Sequence, residues 1–182
     1  MEEIRKEKLS KKYTRKEILE KFVDIDEKLG KITFLDYNVA MMPATILSDI
    51  YKELRNITGR AARGLIVRAA KISGRRQGEK FKNSDDPIVA ALNVLTIWSG
   101  LGWGRAKLER DDKTIRFIFD YTFDGRNYYE FHGKTDEPMC WITFGFAWGL
   151  FEGALDKEIV GEEKECVAKG DDKCIFEFKV IS

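Results

Sequence analysis

The sequence predicts an α+β (α/β) domain: helices in the first half, an antiparallel sheet in the second, and one long helix packed across that sheet. Three observations carry this. Apolar residues recur at helical spacing in successive segments between Pro43 and Trp98. Two stretches rich in Val, Ile and Phe, near residues 103–121 and 160–180, are each broken by an Asp-rich or Gly-Asp turn. Met139 to Leu155 is apolar nearly throughout and carries Gly145, Gly149 and Gly153 at four-residue spacing, so one face of that helix can meet another backbone closely.

In chain order, residues 1–30 read as a charged helical arm and residues 31–182 as the domain proper. The arm breaks near Thr14, where Thr14-x-x-Glu17 has the form of a capping box ahead of Ile18, Leu19, Phe22 and Val23. Arg5 to Lys16 is strongly basic, a solvated face or a docking arm for an anionic partner. Lys31 to Asp36 is a short strand. Pro43 opens a helix through Ile46, Leu47, Ile50, Tyr51 and Leu54, which Gly59 ends. From Arg60 to Ser73 a second helix sets Arg60, Arg63, Arg68, Lys71 and Arg75 opposite Leu65, Ile66, Ala69 and Ile72. Balanced total charge favours an amphipathic surface helix there over a nucleic-acid stripe.

Asp85-Asp86-Pro87 is a helix-start signal that launches Ile88 to Trp98. Gly100, Gly102 and Gly104 then lead into strands Trp103 to Arg110 and Thr114 to Tyr121, joined at Asp111-Asp112-Lys113. In the second strand Ile115, Phe117, Phe119 and Tyr121 share one face. Asp124 to Glu137, polar and irregular, reads as a mobile loop. Pro138 opens the long helix, which places Cys140 in its first turn, where unpaired N–H groups favour a thiolate. Val160 to Lys169 and Lys173 to Val180 form a β-hairpin around Lys169-Gly170-Asp171-Asp172.

The chemistry concentrates in that last region. The chain has three cysteines, Cys140, Cys166 and Cys174, and Glu163 lies beside the last two. Across a regular hairpin Cys166 would face Cys174, with Cβ atoms about 5 Å apart, which suits two sulfurs on one metal or a strained disulfide. Spacing alone leaves open whether the three are ligands or small buried apolar residues. Residues 163 and 166 have opposite parity, so Glu163 can join the cysteines only if its strand bulges or begins late; Glu162 has the parity of Cys166.

Pro138-x-Cys140, Gly145-x-x-x-Gly149-x-x-x-Gly153 and Glu163-x-x-Cys166-x-x-x-Gly170-x-x-x-Cys174-x-Phe176 together resemble the 4-vinyl reductase domain family, including its stand-alone archaeal members. The resemblance spans about residues 31 to 180. It implies a structural zinc on Cys140, Glu163, Cys166 and Cys174, as in the phenol-sensing members, and a hydrocarbon-like or aromatic ligand. Phe123, in Tyr121-Thr122-Phe123-Asp124-Gly125, is similar to a ligand-contacting aromatic of those sensors. With it, Trp98, Phe117, Phe119, Tyr121, Phe144 and Trp148 are the candidate lining residues, between the Met139 helix, the aromatic strand face and the helix at Ile88. The family also implies two other roles: a dimeric scaffold related to vesicle-tethering subunits, or an accessory factor of a vinyl-group reductase.

Other classes fare poorly. The 182 residues carry 35% charged side chains that nearly cancel, to a net charge of +1, so no global field nominates nucleic acid. The charged residues 1–10 are unlike a secretory signal, and no apolar run approaches the ~20 residues that span a bilayer. A cytoplasmic protein is expected, where cysteines more often serve metal or thiol chemistry than disulfides. The single His132, in the polar stretch, lacks triad partners and is expected to be solvated. Gly100-x-Gly102-x-Gly104 precedes a strand, which a dinucleotide fingerprint does not, and no phosphate loop of the ATPase kind found in the bacterial sensors occurs. The sequence reading is therefore a non-catalytic, homodimeric binder of a small apolar molecule.

Overall fold

The computed structural model describes residues 15–34, 37–111 and 113–181. The Thr14 capping box, most of the basic run from Arg5, Asp36 of the first strand and Asp112 of the expected turn lie outside the described residues.

Helix α1 (Arg15–Phe22) ends where β1 (Val23–Asp26) begins, and β1 pairs antiparallel with β2 (Lys31–Phe34), which pairs with β3 (Tyr37–Val39). This corrects the expectation of helix through Gly30. The Asp26 carboxylate accepts the N–H groups of Lys28 and Leu29, and Gly30 takes a φ of +60°, so the chain turns back instead of continuing as helix. The resulting hairpin straddles the division at residue 30.

Three helices follow as expected: α2 (Ala44–Thr58), α3 (Ala61–Gly78) and α4 (Pro87–Trp98). Asp86 caps α4 by accepting the Val89 N–H at 3.0 Å, with Pro87 at the first helical position. Helix α3 continues past Ser73 because Gly74 and Gly78, poor helix formers elsewhere, are needed for packing (below). Among the described residues no helix is long and apolar enough to cross a membrane.

The second half builds a four-stranded antiparallel sheet from β4 (Gly104–Arg110), β5 (Thr114–Thr122), β6 (Ile159–Glu165) and β7 (Cys174–Val180), in the order β4-β5-β7-β6. Asp111 shapes the β4–β5 turn by accepting the N–H groups of Lys113 and Thr114. The expected mobile loop after β5 is instead helix α5 (Phe123–His132), a correction. Tyr128 is buried on its inner side, Arg126 and Glu130 pair one turn apart outside, and Gly133, at φ 78°, ends it.

The last helix, α6 (Trp141–Leu155), lies between α3 and the sheet. Towards the sheet, Phe144 stacks on Phe178 and Phe151 meets Phe117. Towards α3 the two backbones touch. A Cβ at Gly145, Gly149 or Gly153 would overlap the carbonyl oxygen of Val67, Lys71 or Arg75, and a Cβ at Gly74 or Gly78 would overlap that of Phe146 or Leu150. Two glycine rows thus interlock, one from each helix. At their edge Lys71 Nζ lies 2.7 Å from the nearly buried Glu152 and 3.9 Å from the Trp148 ring centroid. The basic stripe expected on α3 is accordingly divided, with Arg63, Lys71 and Arg75 pairing with Glu163, Glu152 and Glu79.

The contrast between glycines is measurable. Gly149→Ala should destabilise the fold by about 3 kcal/mol or more, because backbone cannot yield as a side chain can. Gly64→Ala, on the same α3 but with open space around it, should stabilise it by up to about 1 kcal/mol through helix propensity. Urea unfolding midpoints of the two variants check the pair.

Candidate metal centre and ligand cavity

Three elements converge at the N-terminal end of α6. Cys140 is the residue just before the helix, with non-helical φ −81° and ψ 49°, so it sits one step outside the first turn where the sequence placed it. Cys166 follows the end of β6, and Cys174 opens β7. The expected face-to-face pairing of Cys166 and Cys174 does not form. Cys174 pairs across to Phe119 of β5, and the short 3-10 turn Val167–Lys169 carries Cys166 off the ladder. The sulfurs nevertheless meet: Cys140 Sγ lies 3.4 Å from Cys174 Sγ and 3.7 Å from Cys166 Sγ. All three are free and fully buried, close enough to bind one metal ion. Sulfurs on a tetrahedron with metal–sulfur bonds of about 2.3 Å stand about 3.8 Å apart, so the spacing fits zinc.

The surroundings fit as well. Backbone N–H groups of Met139 and Val167 point at Cys166 Sγ and Cys174 Sγ, each at 3.4 Å, and the buried Thr122 hydroxyl lies 3.2 Å from Cys140 Sγ and 3.6 Å from Cys174 Sγ. Such outer contacts orient thiolate ligands. The Cys140 and Cys166 thiols and the Val167 N–H pull Cys174 down to about 4, whereas burial pushes Cys140 well above the ordinary thiol range. Left to itself the cluster holds a single thiolate; further negative charge there calls for a cation.

Glu163 supplies a fourth oxygen donor. Strand β6 carries a register shift between Glu163 and Glu165, the bulge that parity demands if Glu163 and Cys166 are to face the same way. Glu163 is buried and both its carboxylate oxygens lack a hydrogen-bond partner, whereas the Glu162 side chain is 63% exposed and pairs with Lys164. Burial, reinforced by the charge of Cys166, pushes the Glu163 pKa well up. The nearest cation is Arg63 of α3, 3.8 Å away. An orphaned buried carboxylate beside three thiols is a donor set of the type zinc takes.

A second carboxylate, which sequence reasoning missed, fixes α6 itself. Asp124 of α5 accepts the N–H groups of Ile142 and Thr143 at 3.0 Å each, the Thr143 hydroxyl at 2.8 Å and the Gly125 N–H at 3.0 Å. It therefore takes the free N–H groups that Cys140 was expected to face. Burial raises its pKa to about 6 against those hydrogen bonds, so it is charged at neutral pH. The one signal for it was an acidic residue beside glycine, Asp124-Gly125, in a stretch read as loop. His132, expected to be solvated, packs on Tyr128, with Nε2 3.1 Å from Asp49 of α2.

The candidate lining residues divide. A cavity of about 640 Å³ opens between α4 and strands β4 and β5, walled by Leu92, Leu108, Phe117 and Phe119 and bounded by Trp98 and Trp103, with Asn93 and Thr143 among its few polar side chains. Trp98, Phe117 and Phe119 are thus brought together. Phe144 packs into the core against Phe176 and Phe178, and Trp148 donates to the Ile159 carbonyl. Phe123 rests on Trp103, and Tyr121 is exposed and accepts from Asn127, because the β4–β5 register shifts between Gly104 and Ala106. Leu92, Leu108 and Trp103 escaped the sequence reading, having no pattern that distinguishes lining from core.

Fold and site define a 4-vinyl reductase domain, the family whose model matches residues 126–180, from within α5 to the end of β7. Over a longer stretch the chain is 26% identical to the phenol regulator MopR of Acinetobacter guillouiae across 187 aligned residues, covering 92% of this chain and 33% of that protein. It is 24% identical to the transcriptional regulatory protein XylR of Pseudomonas putida, covering 81% of this chain and 28% of that one. The chain spans about a third of the length of these curated relatives. The phenol-responsive sensory domain of the transcription activator PoxR, solved with phenol, superposes with a TM-score of 0.78 at 22% identity, covering 93% of this chain and 92% of that one, and so shares its fold.

Asp124→Asn tests the helix anchor. An amide offers one acceptor oxygen where the carboxylate offers two, so at least one buried N–H loses its partner. A loss of about 2–3 kcal/mol is expected in denaturant unfolding at pH 7.

Proposed function

We propose that this domain binds a small apolar or aromatic molecule in the cavity between α4 and the sheet, and that a structural zinc on Cys140, Glu163, Cys166 and Cys174 ties the start of α6 to strands β6 and β7. The observation that carries the first part is the cavity of about 640 Å³, walled largely by apolar and aromatic side chains. The likeness to proteins named as phenol regulators supports it. For the second part, four protein ligands leave a zinc no open position for water, so the ion would brace the fold and not catalyse. A domain of this kind is a sensor or carrier, and its output resides in whatever reads its occupancy.

Elemental analysis of protein purified without chelator should return one zinc per chain. Cys174→Ser should abolish it at a cost of several kcal/mol in stability, since metal binding energy is partly folding energy. Glu163→Gln should weaken zinc retention and Glu162→Gln should not. A metal-free native protein with three reactive thiols would sink the zinc.

Toluene or ethylbenzene at 100 times its Kd should stabilise the native state by about 2.7 kcal/mol, read as a rise in Tm, and Leu92→Trp, which fills the cavity, should erase the rise while leaving the zinc. A panel of hydrocarbons, phenols and fatty acids without any shift, combined with a sedimentation mass of twice 21.0 kDa, would favour the scaffold reading. In that case the exposed Ile46, Ile50 and Ile57 of α2 would be the surface to pair.

A further inference from the structure

A second cavity, of about 380 Å³, lies across Trp98 and Trp103 from the larger one, between α3, β3 and α6. Ile66, Ile142 and Phe146 supply apolar walls, and the Trp98 and Trp103 rings, with centroids 4.9 Å apart, close it on the side of the larger space. Its polar groups set it apart. The Tyr37 hydroxyl is buried and has no hydrogen-bond partner. Gln77, on the inner face of α3 and only 8% exposed, accepts one long bond of 3.4 Å from Trp98 Nε1. Both side chains line the same cavity.

We propose that this second cavity is a separate binding site, and that it takes a neutral, planar molecule carrying one hydrogen-bonding group, an arene amide or alcohol. A buried hydroxyl without a partner costs free energy, and room beside it for a ligand gives that cost a use. The Gln77 carboxamide offers both an acceptor and N–H donors, and the Tyr37 hydroxyl can do either, so together they match a group that donates and accepts at once. None of the lining side chains is charged, so an ion would be desolvated without a partner. The Lys80 ammonium, 4.3 Å from the Tyr37 ring centroid, steadies that ring. The arrangement is independent of the zinc and of whatever fills the larger cavity.

Benzamide is the probe, with benzoate as its charged counterpart and toluene as the counterpart without a polar group, followed by calorimetry and by tryptophan emission. Wild-type protein should bind benzamide at least tenfold more tightly than benzoate. Tyr37→Phe should weaken benzamide binding at least tenfold without lowering Tm, because the hydroxyl has no partner within the protein to lose. Gln77→Leu and Ala69→Phe, the latter filling the cavity from an exposed position on its rim, should do the same to binding. Leu92→Trp should leave benzamide affinity unchanged while removing that for toluene, so the two cavities fail or succeed separately. The proposal is overturned by the absence of benzamide binding at millimolar concentration, by affinity unchanged in Tyr37→Phe and Gln77→Leu, by affinity lost in Leu92→Trp, or by a Tyr37→Phe protein that melts lower.

Discussion

The fold depends on the backbone contact between α3 and α6. With Gly74 and Gly78 meeting the carbonyls of one helix and Gly145, Gly149 and Gly153 those of the other, the separation of the two axes is set by main chain and cannot adjust to side-chain changes. Rotation is fixed too, since each row fits only one face. The rest of α6 follows. Once its glycine face is committed to α3, Phe144 and Phe151 must point at the sheet, and the helix start must lie where the ends of β6 and β7 arrive.

At that start, two demands on one helix terminus are divided between two residues. The free N–H groups of Ile142 and Thr143 go to Asp124, reached from α5, which frees Cys140 to turn its sulfur to Cys166 and Cys174. Gly125, next to Asp124, is where a Cβ would press on the Cys140 sulfur. Helix α5 therefore serves both the cap and the thiol cluster, and the polar segment that looked least ordered in sequence is bound tightly to the centre of the molecule.

Periodicity made most of the architecture legible. The helices beginning near Pro43, Arg60 and Pro87, the antiparallel sheet and the glycine-faced α6 all follow from residue spacing, because each has a face buried against a single neighbour. What was not legible depends on contacts between distant parts. Val23 to Asp26 looked like a helix end and became a strand because Lys31 to Phe34 returns to pair with it. The Asp124 segment looked like loop because its helix is held by a cap it donates, not one it receives. In the metal cluster, parity stated the condition for Glu163, a bulge in β6, but no local signal could say that the condition was met. The cavity walls were half legible: strand alternation points Phe117 and Phe119 inward, while Leu92 and Trp103 reach the same space from a helix and a turn whose placement only tertiary packing sets.

The glycine contact has a consequence for the history of the domain. Lys71 and Gly149 stand far apart in sequence, and the chain between them holds α4, β4, β5 and α5, and with them most of the wall of the larger cavity. It is a closed loop whose ends are clasped by main chain. Closure entropy grows only with the logarithm of loop length, about 0.6 kcal/mol for each doubling. Insertions, deletions and exchanged side chains inside the loop therefore leave the clasp nearly as easy to form as before, so successive generations can reshape what the domain recognises while inheriting its frame intact.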